Sequence, residues 1–184
     1  DDTMSVVNKY IYRSDGIILL LDPLQLPRVR DRLSNTINLP SMWTETTDIV
    51  TRMTRLIREG RKLKPTDMLE TPLAVCFSKF DAVQSLVDPQ LQLNAQSNHF
   101  RGYDIADFQA INGEMQSLVA DWYGQDLLNQ VSTYYRNFGF FGLSALGCNP
   151  GLDKKIPRIL PQRVEDPFLW LLHHHNLLKA IRRG

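Results

Sequence analysis

The sequence predicts an α/β fold in which a parallel sheet carries helices on both faces. Three observations support it. Short runs of Ile, Leu, Val and Phe recur between Gly16 and Asp22, from Leu73 to Phe77, and from Phe138 to Leu143. Each run is apolar on both faces, as a central parallel strand covered by helices on each side must be. Amphipathic segments with helical spacing separate the runs, and that alternation belongs to layered α/β architecture.

In chain order, "TMSVVNKYIYRS" places Val6, Val7, Tyr10 and Ile11 on one helical face. The strand "GIILLL" follows and stops at Asp22-Pro23, a turn-forming pair. Pro27 opens a short helix through Leu33, since proline suits a first helical turn. A polar loop with Pro40 and Trp43 leads to "TDIVTRMTRLIREG", where Ile49, Met53, Leu56 and Ile57 form a stripe and Gly60 marks the stop. The basic linker "RKLKPTDMLE" joins this helix to the second strand. After Asp81 a Gln/Asn-rich segment runs to about Tyr103. A helix capped by Asp104 then carries Phe108, Ile111, Met115, Leu118, Val119 and Trp122 on its apolar face. "QDLLNQVSTYYRN" continues helical after Gly124. The third strand ends in Ser144-Ala145-Leu146-Gly147, and a proline-spaced basic loop covers 148 to 164. Asp166 as N-cap and Pro167 as first helical residue open a last helix, "FLWLLHHHNLLKAIRR", whose end Arg182 and Arg183 complement.

Composition frames this fold. The 184 residues, 43% hydrophobic and 22% charged, suffice for one domain with a core. A formal charge of +1 argues against a broad nucleic-acid footprint, and no nucleic-acid partner is expected. Two cysteines, Cys76 in a strand and Cys148 in a turn, make no disulfide framework and favour a reducing compartment. No apolar run approaches the roughly 18 residues of a membrane span. "DDTMSVVNKY" lacks the pattern of a signal peptide, so a cytoplasmic location is expected.

Ligands of parallel sheets bind beyond the carboxyl ends of the strands. Asp22, Ser78 to Asp81 and Ser144 to Gly147 all emerge there. The pair Lys79 and Asp81 suits a purine base. A carboxylate accepts from two adjacent N–H donors in short, charge-assisted bonds, and guanine offers such a pair where adenine does not. The lysine stem can lie along the ring while its ammonium stays near solvent.

With these residues the chain resembles the Ras-like P-loop GTPases, whose guanine-reading element is Asn/Thr-Lys-x-Asp at the end of a buried strand. Ser78-Lys79-Phe80-Asp81 fits it, with serine in the first place. Ser144-Ala145-Leu146 resembles the Ser-Ala-Lys/Leu element after the next strand, where a backbone N–H contacts guanine O6. "RSDGIILLLDP" and "RVEDPFLWLL" are similar to bacterial double-GTPase-type proteins. The resemblance implies guanine binding through Ser78, Lys79, Asp81, Ser144, Ala145 and Leu146. Asp81 would read the base edge, Lys79 pack on the ring, Ser78 brace the loop and Ala145 donate its N–H. Relative to the family, residues around 85 to 104 form an insertion.

No G-x-x-x-x-G-K-[ST] and no Asp-x-x-Gly occurs in the sequence; "GCNPGLDKK" has the wrong spacing for a phosphate loop. The resemblance therefore implies the C-terminal half of a GTPase domain over residues 1 to 184. GTP or GDP is the implied ligand, with Mg²⁺ expected only in the complete domain, and no catalytic or metal residue is assigned here. Such a half exposes an apolar strand edge. It is expected to fold against the missing N-terminal half, a partner chain or a second copy, and to be inactive alone. A non-catalytic GTPase-like interaction module is one alternative. Half of a P-loop ATPase, with Asp22 holding magnesium, is the other.

Several conspicuous residues have plainer readings. Asp22 starts a turn. His173, His174 and His175 point about 100° apart on a helix, unlike a zinc pair, and read as a half-exposed face. Cys76, Trp122 and Trp170 read as core. Arg58, Arg61, Lys62 and Lys64 read as a solvated linker rather than a face for an acidic partner or membrane.

Overall fold

A computed structural model describes residues 9–34, 37, 39–41, 46–97, 99, 102–148 and 158–181, without the side chains of 46–48. Val6, Val7, Trp43, Arg182 and Arg183 lie outside the described residues. Three strands, β1 (Ile17–Leu21), β2 (Leu73–Phe77) and β4 (Phe138–Gly142), form a parallel sheet in the order β1-β2-β4. The register sets Leu21 beside Phe77 and Phe77 beside Gly142, so the three chains leave the sheet side by side. The α/β class with a parallel sheet is the expected one.

The helices are α1, described over residues 9–13, α2 (Pro27–Leu33), α3 (Thr46–Arg61), α4 (Phe80–Val83), α5 (Ile105–Trp122), α6 (Gln125–Tyr134) and α7 (Asp166–His174). All five residues of β2 are buried, so both of its faces are covered. α5 and α7 meet over β4: Phe141 lies 5.7 Å from Phe108 and 5.9 Å from Trp170. Asp104 caps α5 as expected, accepting from the Asp107 N–H at 3.1 Å. Among the described residues no helix is long and apolar enough to cross a membrane.

The two sheet edges differ. At β4, α5 lies along the edge and the Asn112 side chain accepts from the Phe140 N–H at 2.8 Å. At β1, among the described residues, no strand pairs with the outer edge. Ile18 and Leu20, which share one face of the sheet, are 40% and 61% exposed, so β1 is an edge strand covered mainly on one face and not the doubly covered strand expected from its apolar run.

Three local expectations need correction. α3 passes through Gly60 and ends after Arg61, with Lys62 in the left-handed conformation. A side chain at 60 would lie 2.3 Å from the Tyr12 ring, so this glycine serves close packing of α1 on α3. In the last helix Glu165 occupies the cap position and Asp166 is the first helical residue; the Asp166 carboxylate is drawn to Arg163 instead of the helix end. That helix also stops at His174. Asn176 takes a left-handed φ of 59°, and the Leu177 N–H closes onto the Leu172 carbonyl at 2.8 Å, a helix-terminating motif. The chain then adds β5 (Ala180–Ile181), paired in parallel with β3 (Tyr103–Asp104).

Candidate guanine-reading site

The carboxyl end of β2 is tied to both neighbours. The Ser78 N–H and hydroxyl donate to the Leu21 carbonyl at 2.9 and 3.0 Å, bracing β2 on β1. The Leu143 N–H donates to the Phe77 carbonyl, and the Phe80 N–H returns to the Leu143 carbonyl at 3.0 Å. Between these ties Lys79 adopts a left-handed φ of 53°, which turns the chain sharply into α4. Asp81 sits in the first turn of that helix, half-buried.

This turn brings Asp81 to the bend after β4. The Ser144 hydroxyl donates to Asp81 Oδ1 and accepts from the Gly147 N–H at 2.8 Å. Among the described residues Asp81 Oδ2 has no hydrogen-bond partner, nor does the Ala145 N–H. Among the described residues an unpaired carboxylate oxygen and an unpaired backbone donor thus stand on adjoining loops, a combination that suits a base carrying both donors and an acceptor. Leu146 is held by its carbonyl, which accepts from Leu160 N–H at 2.9 Å. Gly147 is required here. Its φ is +71°, and a Cβ would lie 1.8 Å from the Leu160 carbonyl oxygen.

Lys79 is held away from Asp81. Its ammonium reaches Asp22 Oδ2 at 2.7 Å, while Asp22 Oδ1 accepts from the Leu24 N–H at 3.0 Å. Asp22 is therefore a turn residue with a lysine partner. The Lys79 side chain remains 55% exposed, with its stem available as a flat apolar support.

A strap behind the bend escaped the sequence reading. Ser144 and Gln162 exchange two backbone bonds, of 3.0 and 2.8 Å. The next residue, Arg163, is buried with a left-handed φ of 53°. Its guanidinium donates to Asp107 Oδ2 and Asp166 Oδ2, both at 2.8 Å, and to the Gln92 carbonyl at 2.9 Å. Burial opposes this positive charge, but the hydrogen bonds to Asp107 and Asp166 outweigh it and hold Arg163 above its ordinary pKa. Burial likewise works against the Asp107 carboxylate. Hydrogen bonds from Arg163 and Gln92 overcome it, and its pKa lies below the usual range. His99 joins the cluster at 3.2 Å from Asp166 Oδ1 and stacks on Tyr103. Gln162 Nε2 also donates to the Leu93 carbonyl at 2.8 Å. Gln92, Leu93 and His99 are thereby tied to the strap behind the Ser144 bend.

Compared with known protein families, characterised proteins and solved structures, the chain matches none.

The histidines act separately. His173 stacks on Tyr103, His174 packs on Trp170, and His175 meets the Asp15 carbonyl at 2.9 Å. Burial first, then the adjoining His175 and His173, keep His174 below its ordinary pKa. Among the described residues no group of three His, Cys, Asp or Glu is placed to hold a metal ion. Trp122 and Trp170 are core, as read. The basic set is not a bare linker: Arg58 donates to the Asp67 carbonyl and Arg61 to those of Tyr12 and Ser14.

Proposed function

We propose that this chain is the guanine-binding half of a bacterial-type P-loop GTPase domain. The carrying observation is Asp81, held against the Ser144 bend with one carboxylate oxygen, like the Ala145 N–H, unpaired among the described residues. In this reading Asp81 accepts from guanine N1–H and the 2-amino group, and Ala145 donates to O6. Lys79 lays its stem on the ring, Ser78 braces the loop, and Leu146 helps fix the bend. GTP or GDP is the ligand.

Phosphate and magnesium contacts come from elsewhere in the complete domain. Asp22 is engaged by Lys79 and the Leu24 N–H as a turn residue, and no hydrolytic step is assigned to these residues. The same observation weighs against the ATPase reading. The open edge of β1 supports a further strand, supplied by the rest of the polypeptide or by a partner chain, as the element that completes the sheet.

The test is nucleotide selectivity of the full-length gene product, measured by calorimetry. GDP is expected to bind and ADP not. Asp81→Asn should lower GDP affinity by roughly ten- to a hundredfold, from the loss of charge-assisted hydrogen bonds. It should also confer affinity for xanthosine diphosphate, whose 2-carbonyl accepts from the new amide. Unchanged GDP binding by the variant would remove the reading. No nucleotide binding at all would favour an interaction module.

A further inference from the structure

At the opposite end of the sheet from Asp81, α3, α6 and the linker after α3 line a cavity of about 380 Å³ that opens broadly to solvent. That size falls within the range of small-ligand sites, roughly 300 to 1,000 Å³. Arg55, Arg58 and Lys62 line it, with Glu59 as the one carboxylate in the wall. Leu63, Pro65 and the ring of Tyr134 supply apolar surface.

Arg58 is fixed before any ligand arrives. Its guanidinium carbon lies 4.7 Å from the centre of the Tyr134 ring, and one terminal nitrogen donates to the Asp67 carbonyl at 2.9 Å. Its Nε is out of contact with water and has no hydrogen-bond partner. An anion in the cavity would therefore meet the terminal nitrogens of the guanidinium rather than Nε. Among the described residues neither Arg58 nor Lys62 pairs with a carboxylate, and Arg55 reaches Glu59 only at 3.9 Å.

A plain account is that these cations complement the carboxyl end of α3. That end carries only about half a negative charge. Three cations against one carboxylate and half a charge leave a positive excess. The stacked arginine also presents the planar donor geometry that oxyanions match.

We propose that this cavity binds a small organic oxyanion on a flat apolar body, such as an aryl phosphate or aryl carboxylate. Arg58 and Lys62 would receive the anionic group, and Tyr134 with Leu63 and Pro65 the apolar body. This site is separate from the guanine-reading loops and does not depend on them.

The experiment titrates the full-length protein with phenyl phosphate, following backbone amide signals of α3 and α6 by NMR, with excess GDP present throughout. Saturable shifts confined to the cavity are expected, and benzoate should reproduce them. Benzyl alcohol, which has the ring without the charge, and inorganic phosphate, which has the charge without the ring, should each bind at least tenfold more weakly. Arg58→Met should weaken phenyl phosphate at least tenfold. Lys62→Gln, at an exposed position, should weaken it several-fold without altering the fold. Equal binding of benzyl alcohol, unchanged binding by Lys62→Gln, or no saturable shift with either aryl anion would overturn the proposal.

Discussion

The Ser144 hydroxyl donates to the Asp81 carboxylate and so joins the bend after β4 to the first turn after β2. The two residues are 63 positions apart in sequence. Their meeting follows from the in-register exit of adjacent parallel strands. Ser144 is fully buried, so its removal leaves both the Gly147 N–H and part of the Asp81 carboxylate without a partner. Ser144→Ala should lower stability by about 0.5–1.5 kcal/mol, the net worth of a hydrogen bond between partly buried groups. Urea unfolding followed by circular dichroism measures it, and an unshifted midpoint would contradict the arrangement.

Arg163 is the pivot of the strap. Its side chain is 1% exposed, against 7% for Asp107 and 2% for Asp166. Removing one member of a buried ion cluster costs about 3–5 kcal/mol, because the remaining charges stay buried without compensation. Arg163→Met is expected to fall in that range. Arg163→Met with Asp107→Leu should recover part of the loss, since one stranded carboxylate is removed with the arginine. A pair no more stable than the single variant would argue against direct coupling.

Acid should loosen the same strap. The folded-state pKa of Asp107 is depressed, so its contribution is complete above the unfolded value near about 4. It is lost as pH falls through the lower folded value. Stability should therefore drop between about pH 4 and the acid limit. In Asp107→Asn the drop should be smaller, although the variant is weaker at neutral pH. Denaturant midpoints across an acid series check the sign.

The two thiols should differ in reactivity. Cys76 is fully buried in β2, and burial, with the Asp166 charge adding, pushes its thiol up to about 12. Cys148 is only partly covered. At pH 8 a disulfide reagent should titrate one thiol rapidly in the native protein and the second only on unfolding. Mass spectrometry should place the rapid adduct on Cys148.

The outer edge of β1, unpaired among the described residues, adjoins Leu20 at 61% exposure. Residues 1 to 184 produced alone should self-associate through it, and Leu20→Lys should reduce that association because an edge charge opposes strand addition. Light scattering provides the measurement. Stability should change by no more than about 0.5 kcal/mol, as expected for an exposed position.

Much of this molecule is written locally. The three strands, the Pro27 start of α2, the Asp104 cap and the apolar face of α5 all follow from runs, periodicities and caps a few residues long. The loops holding Ser78 to Asp81 and Ser144 to Gly147 follow too, since they are the places where those runs stop. Local pattern failed where a distant group competed. Asp166 left the cap position for Arg163, α3 ran through Gly60 where the Tyr12 ring needs a residue without a side chain, and the last helix ended before a left-handed Asn176. The Arg163 strap left no sequence signal, because Gln92, Asp107 and Arg163 are brought together only by packing of the segment around 85 to 104 on α5 and α7. A sequence specifies short-range conformation through the residues themselves, whereas contacts between charges 56 positions apart exist only once the layers have closed.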